Sequence, residues 1–205
     1  MARCRSETES ETSHETAGPT IEDAARRFGV ESATAVARAA LERAGEPAID
    51  RFGRGATVLA AVRLASRRTD GPTIGVRDLS DAFGVGRDPI VGAEEVLATT
   101  LSPPADPDET RTLRRRLVVA HEIRTACESG RPRPELPGSY LADAAPDLLA
   151  RVDGLAGHPE DLEDRDDIEA STLEEALQAH IDRLEADLEL ARLGTTLYAA
   201  VEEVR

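Results

Sequence analysis

From residue 19 onward, apolar positions recur at intervals of three and four, the spacing that gives a helix one buried face. Thr20 followed by Asp23 reads as a helix start, and the helix Ile21 to Phe28 stops at Gly29. A second helix is predicted from Ser32 to about Ala44, with Ala35, Val36, Ala39, Ala40 and Leu41 as its stripe. Gly45 to Gly55 reads as a break holding a short helical piece with Ile49 and Phe52. The next segment, Ala56 to Arg67, is different in kind. Its stretch VLAAVRLA carries one charge, and a helix apolar nearly all round is buried on all sides. It is therefore expected at the centre of a small bundle, with the other helices around it.

After the turn Thr69 to Pro72, a helix from Thr73 to Phe83, the turn Gly84-Val85-Gly86 and a helix from Asp88 to Thr100 read as a helix-turn-helix. Val76, Leu79, Ala82, Val85, Ile90, Val91, Ala93 and Leu97 would supply its interior. Ser102-Pro-Pro-Ala-Asp-Pro107 ends helicity and marks a linker. Beyond it the pattern predicts a helix from Glu109 to Cys127, a Pro-rich loop Arg131 to Pro137, a short helical piece around Leu148 to Val152 and an acidic loop His158 to Glu169. A capping box at Thr172 and Glu175 then opens a long terminal helix. Leu177, Ile181, Leu184, Leu188, Ala191, Thr195 and Tyr198 form a heptad-like stripe on it, and Leu190, Leu193, Leu197, Val201 and Val204 a second. Such a helix packs on two sides and is a candidate for homodimer formation. Residues 1–18 are Ser, Thr and Glu with little apolar content and are expected to be a disordered arm. The organisation read from the chain is thus an acidic arm (1–18), a first helical domain (19–102), a Pro-rich linker (103–108) and an acidic helical domain (109–205).

Composition narrows the class. Apolar residues make up 40% of the chain but aromatics only 2%, so the core must be built from Leu, Val, Ile and Ala, and an all-α fold is favoured. Forty acids stand against 25 basic residues, all of them Arg, for a net charge of −15. An acidic surface without Lys suits a high-salt cytoplasm, where carboxylates hold water and cations; an ordinary acidic protein from a GC-rich genome is the alternative. The charge is uneven, with 13 Arg against 16 acids in residues 1–102 and 12 Arg against 24 acids in residues 103–205. Cys4 and Cys127 form no CxxC pair, and no apolar run approaches the roughly 18 residues of a membrane span. A soluble cytoplasmic protein is expected, with no membrane partner.

Candidate chemistry is sparse. The four His (14, 121, 158, 180) make no metal-binding spacing, no phosphate-cradling glycine loop occurs, and the carboxylates between Glu160 and Glu169 lack the pattern of a calcium loop. No cofactor, metal or catalytic residue can be named, so a non-enzymatic role is expected. The one basic concentration is Arg111, Arg114, Arg115 and Arg116 in RTLRRR, suited either to gripping phosphates or to pairing with acids such as Asp182, Glu185 and Glu189.

One further signal lies in the order of features between Pro19 and Ser102. An amphipathic second helix leads through Gly53-Arg54-Gly55 into the Ala-rich helix ending LASR, then into a helix-turn-helix with Gly84-Val85 at its turn. This segment resembles a single cyclin-like repeat of archaeal transcription factor B. In that family two five-helix repeats follow a zinc ribbon and bind the TATA-binding protein and DNA. This chain carries one recognisable repeat and no ribbon. The resemblance implies a cyclin-like five-helix bundle and a role in transcription regulation, with DNA or a protein of the transcription apparatus as partner. The family's DNA-reading positions fall on Gly86, Arg87, Asp88, Ile90, Val91 and Glu94, where Arg87 suits a phosphate or base while Asp88 and Glu94 would repel one. Arg51 and Arg54 lie at the turn where the family also approaches DNA, and Arg63, Arg67 and Arg68 lie on or after the central helix. A protein-interaction adaptor without nucleic-acid contact is the competing reading. Convergence of these six arginines on one face would favour DNA, and dispersion the adaptor.

Overall fold

The computed structural model describes residues 18–128 and 166–203, and across them it contains eight α-helices, one short 3-10 turn (Glu31–Ala33) and no strand. The expectations for residues 1–17, the Pro-rich loop, the piece near Leu148 and the acidic loop before residue 166 lie outside the described residues.

The first five helices are α1 (Ile21–Phe28), α2 (Thr34–Phe52), α3 (Arg54–Arg68), α4 (Val76–Phe83) and α5 (Arg87–Thr100). Thr20 caps α1, its hydroxyl oxygen accepting from the Asp23 amide at 3.1 Å. α3 is the hub, since Ala56–Val62 and Leu64–Ser66 are all buried, and α1, α2 and α5 pack around it. Only small and branched aliphatic side chains line it, which lets neighbouring helices approach closely. Ser66 lies inside this hub. Its hydroxyl donates to the Arg63 carbonyl at 2.8 Å and accepts from the Ile74 amide at 3.3 Å, tying the α3–α4 loop to the core.

The structure departs from the sequence pattern at α2, which runs without a break through Gly45 and Pro47 to Phe52. Gly45 is buried against Leu41, so the missing side chain permits packing instead of ending the helix. Pro47 is exposed, so the hydrogen bond it removes falls on the hydrated side of the helix. Its cost is outweighed by burial of Ala44 and Ala48 on the other side.

Beyond the linker, α6 (Pro107–Glu128) and α7 (Asp166–Leu193) form an antiparallel pair around a second core. Leu177, Ile181 and Leu184 of α7 are buried there with Ala120 and Ile123 of α6, while Leu113, Leu117 and Val119 pack at its edge. α7 begins six residues before Thr172, because the preceding DIEAS holds no Gly or Pro to stop a helix. It also ends earlier than the pattern implies. Gly194, at φ 74 and ψ 159, breaks the terminal segment into α7 and α8 (Thr195–Glu202).

That break determines the architecture. α8 turns back onto α2, and Leu193, Leu197, Ala200 and Val201 complete the core formed by α1 to α5. The two stripes of the terminal segment thus serve two cores of one chain: Leu177 to Leu184 face α6, and Leu193 to Val201 face the first bundle. Of the heptad-like stripe, Leu177, Ile181, Leu184, Leu188 and Ala191 are buried within the chain, Tyr198 is half-buried and Thr195 is exposed. The linker is clamped at the same place, with the Ala105 amide donating to the Ala191 carbonyl at 2.7 Å and the Ser102 and Thr196 hydroxyls 2.6 Å apart.

Candidate functional site

The six arginines singled out on the first half divide by position along α3, whose ends are about 21 Å apart at 1.5 Å per residue. Arg51, Arg54 and Arg87 occupy one end. Arg51 closes α2, Arg54 opens α3 and Arg87 opens α5, and the turns carrying them are adjacent because a Cβ at Gly55 would lie 3.9 Å from Val85. All three side chains are exposed. Arg51 stacks over the Phe52 ring at 5.1 Å, and that ring packs onto Gly92 of α5 closely enough to leave no room for a side chain there. Val91 beside it is 37% exposed. Carboxylates are interleaved: Asp50 and Asp88 are exposed neighbours, and Asp81 lies 3.6 Å from Arg87. The end is a mosaic of both signs around a small apolar patch.

Arg63, Arg67 and Arg68 lie toward the other end and are engaged within the fold. Arg63 and Arg67 both bind Glu94, which is only 8% exposed, Arg67 at 3.0 Å. Glu94, expected to repel phosphate, is neutralised by two guanidiniums and turned inward. Arg68 is 9% exposed and donates to the carbonyls of Ser102 at 3.1 Å and Leu193 at 2.7 Å. Burial lowers its pKa from the ordinary value, although a guanidinium stays charged. Its role is to satisfy carbonyls left without helical partners where the linker leaves α5 and where α7 ends. Arg63, Arg67 and Arg68 therefore do not join Arg51, Arg54 and Arg87 on one face.

The basic run on α6 is also split. Arg111 pairs with Asp108, and Arg114 lies 3.7 Å from Asp70 in the α3–α4 loop. Arg115 is exposed, and Arg116 is half-buried near His180, where it helps lower the His180 pKa. The alternative partner Glu185 instead faces His121 at 3.7 Å. Asp70 is held most closely by Arg192 of α7, a lone arginine that the sequence pattern does not single out. Among the described residues, no group of three or more His, Cys, Asp and Glu side chains is placed to hold a metal ion, and no helix is long and apolar enough to cross a membrane.

The chain matches no family model, and no curated protein or solved structure shows significant similarity to it.

Proposed function

We propose that this is a non-enzymatic regulatory protein whose first helical bundle, read as a cyclin-like module with α4 and α5 as its helix-turn-helix, docks on a protein of the transcription apparatus. The docking face is the end bearing Arg51, Arg54 and Arg87. One observation carries the choice of a protein over DNA: Arg51, Arg54 and Arg87 are interleaved with Asp50, Asp81 and Asp88 around Phe52 and Val91, while Arg63 and Arg68 are drawn into the fold and Arg67, though exposed, is paired with Glu94. Duplex DNA favours an uninterrupted basic surface, because each neutralised phosphate releases a counterion and each carboxylate opposes it. Protein interfaces favour arginine and aromatic anchors set among mixed charge.

The high-salt cytoplasm inferred from composition supports the same choice, since counterion release weakens steeply as salt rises whereas apolar contact does not. The partner named by the resemblance is the TATA-binding protein. The full chain mixed with an archaeal TATA-binding protein in molar potassium chloride is expected to co-elute in size-exclusion chromatography, with and without nuclease. The triple substitution R51A/R54A/R87A should abolish the complex. No complex at micromolar concentrations sinks this partner. Salt-sensitive duplex binding lost in the same triple variant would replace the protein reading with the DNA one.

A further inference from the structure

A second feature lies near the opposite end of α3 and does not depend on the docking proposal. Where α3 ends, the linker passes and α6 begins, a cleft of about 340 Å³ is lined by Arg67, Arg68, Arg111, Arg114 and Arg192. Pro104 and Pro107 of the linker give it an apolar wall. Five of the 25 arginines of a chain with net charge −15 thus share one small concavity.

Among the described residues, no carboxylate lines this cleft. Glu94 is shared between Arg67 and Arg63, Asp108 serves Arg111, and Asp70 serves both Arg114 and Arg192. Among the described residues these three carboxylates serve five guanidiniums, Arg63 included, and Arg68 donates to the carbonyls of Ser102 and Leu193. None of these carboxylates lines the cleft itself, nor do Asp106 and Glu109 beside Pro107, whereas Asp70 and Glu189 line the neighbouring cavity with Arg68 and Arg192.

The geometry around Asp70 shows what the surplus is suited to. Its Oδ1 lies 2.5 Å from one nitrogen of Arg192 and 3.7 Å from one of Arg114, so a single oxygen bridges guanidiniums from α7 and α6. An oxyanion is therefore already accommodated between two of the cleft's arginines, supplied by an exposed side chain on the α3–α4 loop that lines the neighbouring cavity. A carboxylate offers one charge and two oxygens. A phosphate chain offers more of both, in the tetrahedral arrangement that several guanidinium forks bind together.

We propose that this cleft is a binding site for a small oligophosphate anion, a diphosphate or the phosphate chain of a nucleotide, which displaces Asp70 from between Arg114 and Arg192. Because the lining comes from α3, the linker, α6 and α7, occupancy would tie the α6–α7 pair to the first bundle.

Calorimetric titration of the full chain at fixed ionic strength tests this, with diphosphate, ATP and sulfate as probes. Diphosphate is expected to bind saturably at one site per chain and more tightly than sulfate. ATP binding at least tenfold tighter than diphosphate identifies a nucleotide as the source, and equal or weaker binding identifies the free anion. R111Q and R114Q, both at exposed side chains, should each weaken diphosphate at least tenfold with the thermal melt by circular dichroism unchanged. R87Q should leave binding unaltered. D70N should tighten it, because the internal competitor is gone, an effect that a merely structural Asp70 would not give. The proposal is overturned by absence of saturable diphosphate binding, by equal loss in R87Q and R114Q, or by failure of D70N to tighten the site.

Discussion

Gly194 and Gly53 form a matched pair that isolates the join between the two cores. Gly194 has φ 74 and ψ 159, and Gly53 has φ 81 and ψ 156, a region open essentially to glycine alone. Alanine at either position carries backbone strain of about 1–3 kcal/mol. The surroundings differ. A Cβ at Gly53 meets nothing within 4 Å, whereas one at Gly194 would lie 2.6 Å from the Ser102 carbonyl oxygen and 2.7 Å from that of Pro103. Both of those atoms are backbone, so relief requires moving the linker. Moving it pulls Ser102 from Arg68 and from Thr196. Hydrogen bonds to a charged group contribute about 1.5–3 kcal/mol each. G194A is therefore expected to destabilise by about 3–6 kcal/mol, roughly 2–3 kcal/mol more than G53A. Urea denaturation followed by far-UV circular dichroism is the suitable assay, since the chain has no Trp and only 2 Tyr. A G194A midpoint no lower than that of G53A, at equal m-value, refutes the contact of Gly194 with the linker as the origin of the join.

Three further outcomes follow from the charge arrangement. E94Q leaves Arg63 and Arg67 without their shared carboxylate and should cost about 1–3 kcal/mol in the same denaturation assay, with R63M/E94M recovering part of it; a loss below about 0.5 kcal/mol contradicts the pairing. The His180 pKa is lowered by burial first, then by Arg183 and Arg116, so the unfolded chain binds the proton more readily. Stability from this group is complete above about pH 6.5 and falls as pH drops below it, and H180Q should flatten that slope in a pH series of thermal melts. Raising potassium chloride from 0.1 to 2 M should raise the melting temperature, because screening relieves the repulsion of a net −15 chain; a falling melting temperature would count against saline adaptation.

Much of the fold is legible where its cause is local. The Thr20 cap, the Gly29 stop, the buried character of Ala56 to Ser66 and the Gly84 turn depend on neighbours within a few residues. Where the cause is tertiary, the pattern misleads. Gly45 and Pro47 look like breakers until Gly45 is seen packed on Leu41. Gly194 sits within a continuous pattern of threes and fours, and the carbonyls that forbid a side chain there come from residues about ninety positions earlier. The candidate residues divide in the same way. Arg51, Arg54 and Arg87 are found from turns, but Arg68 is recruited by carbonyls of Ser102 and Leu193 that no local pattern announces. Arg192 escapes notice as a lone charge, although it pairs with Asp70 and lines one cleft with Arg111 and Arg114 of α6.

Residues 19–102 carry 11 Arg against 12 acids, a near-neutral balance. A balanced count suggests a surface spared from acidification and so available to a partner. In the structure much of the balance is internal: Arg38 holds Glu22 at 2.5 Å, and Arg63 with Arg67 holds Glu94. The structural boundary also differs from the charge boundary, because α8 belongs to the first core and Glu203 pairs with Arg43 of α2 at 2.5 Å. Net charge along the chain is therefore a poor guide to partners here. Two local departures from pairing carry more information: an end where apolar side chains emerge among mixed charges, and a cleft where guanidiniums outnumber carboxylates. The first suits a protein surface and the second a small anion. Because α3 spans both, each can be tested by substitutions that leave the other intact.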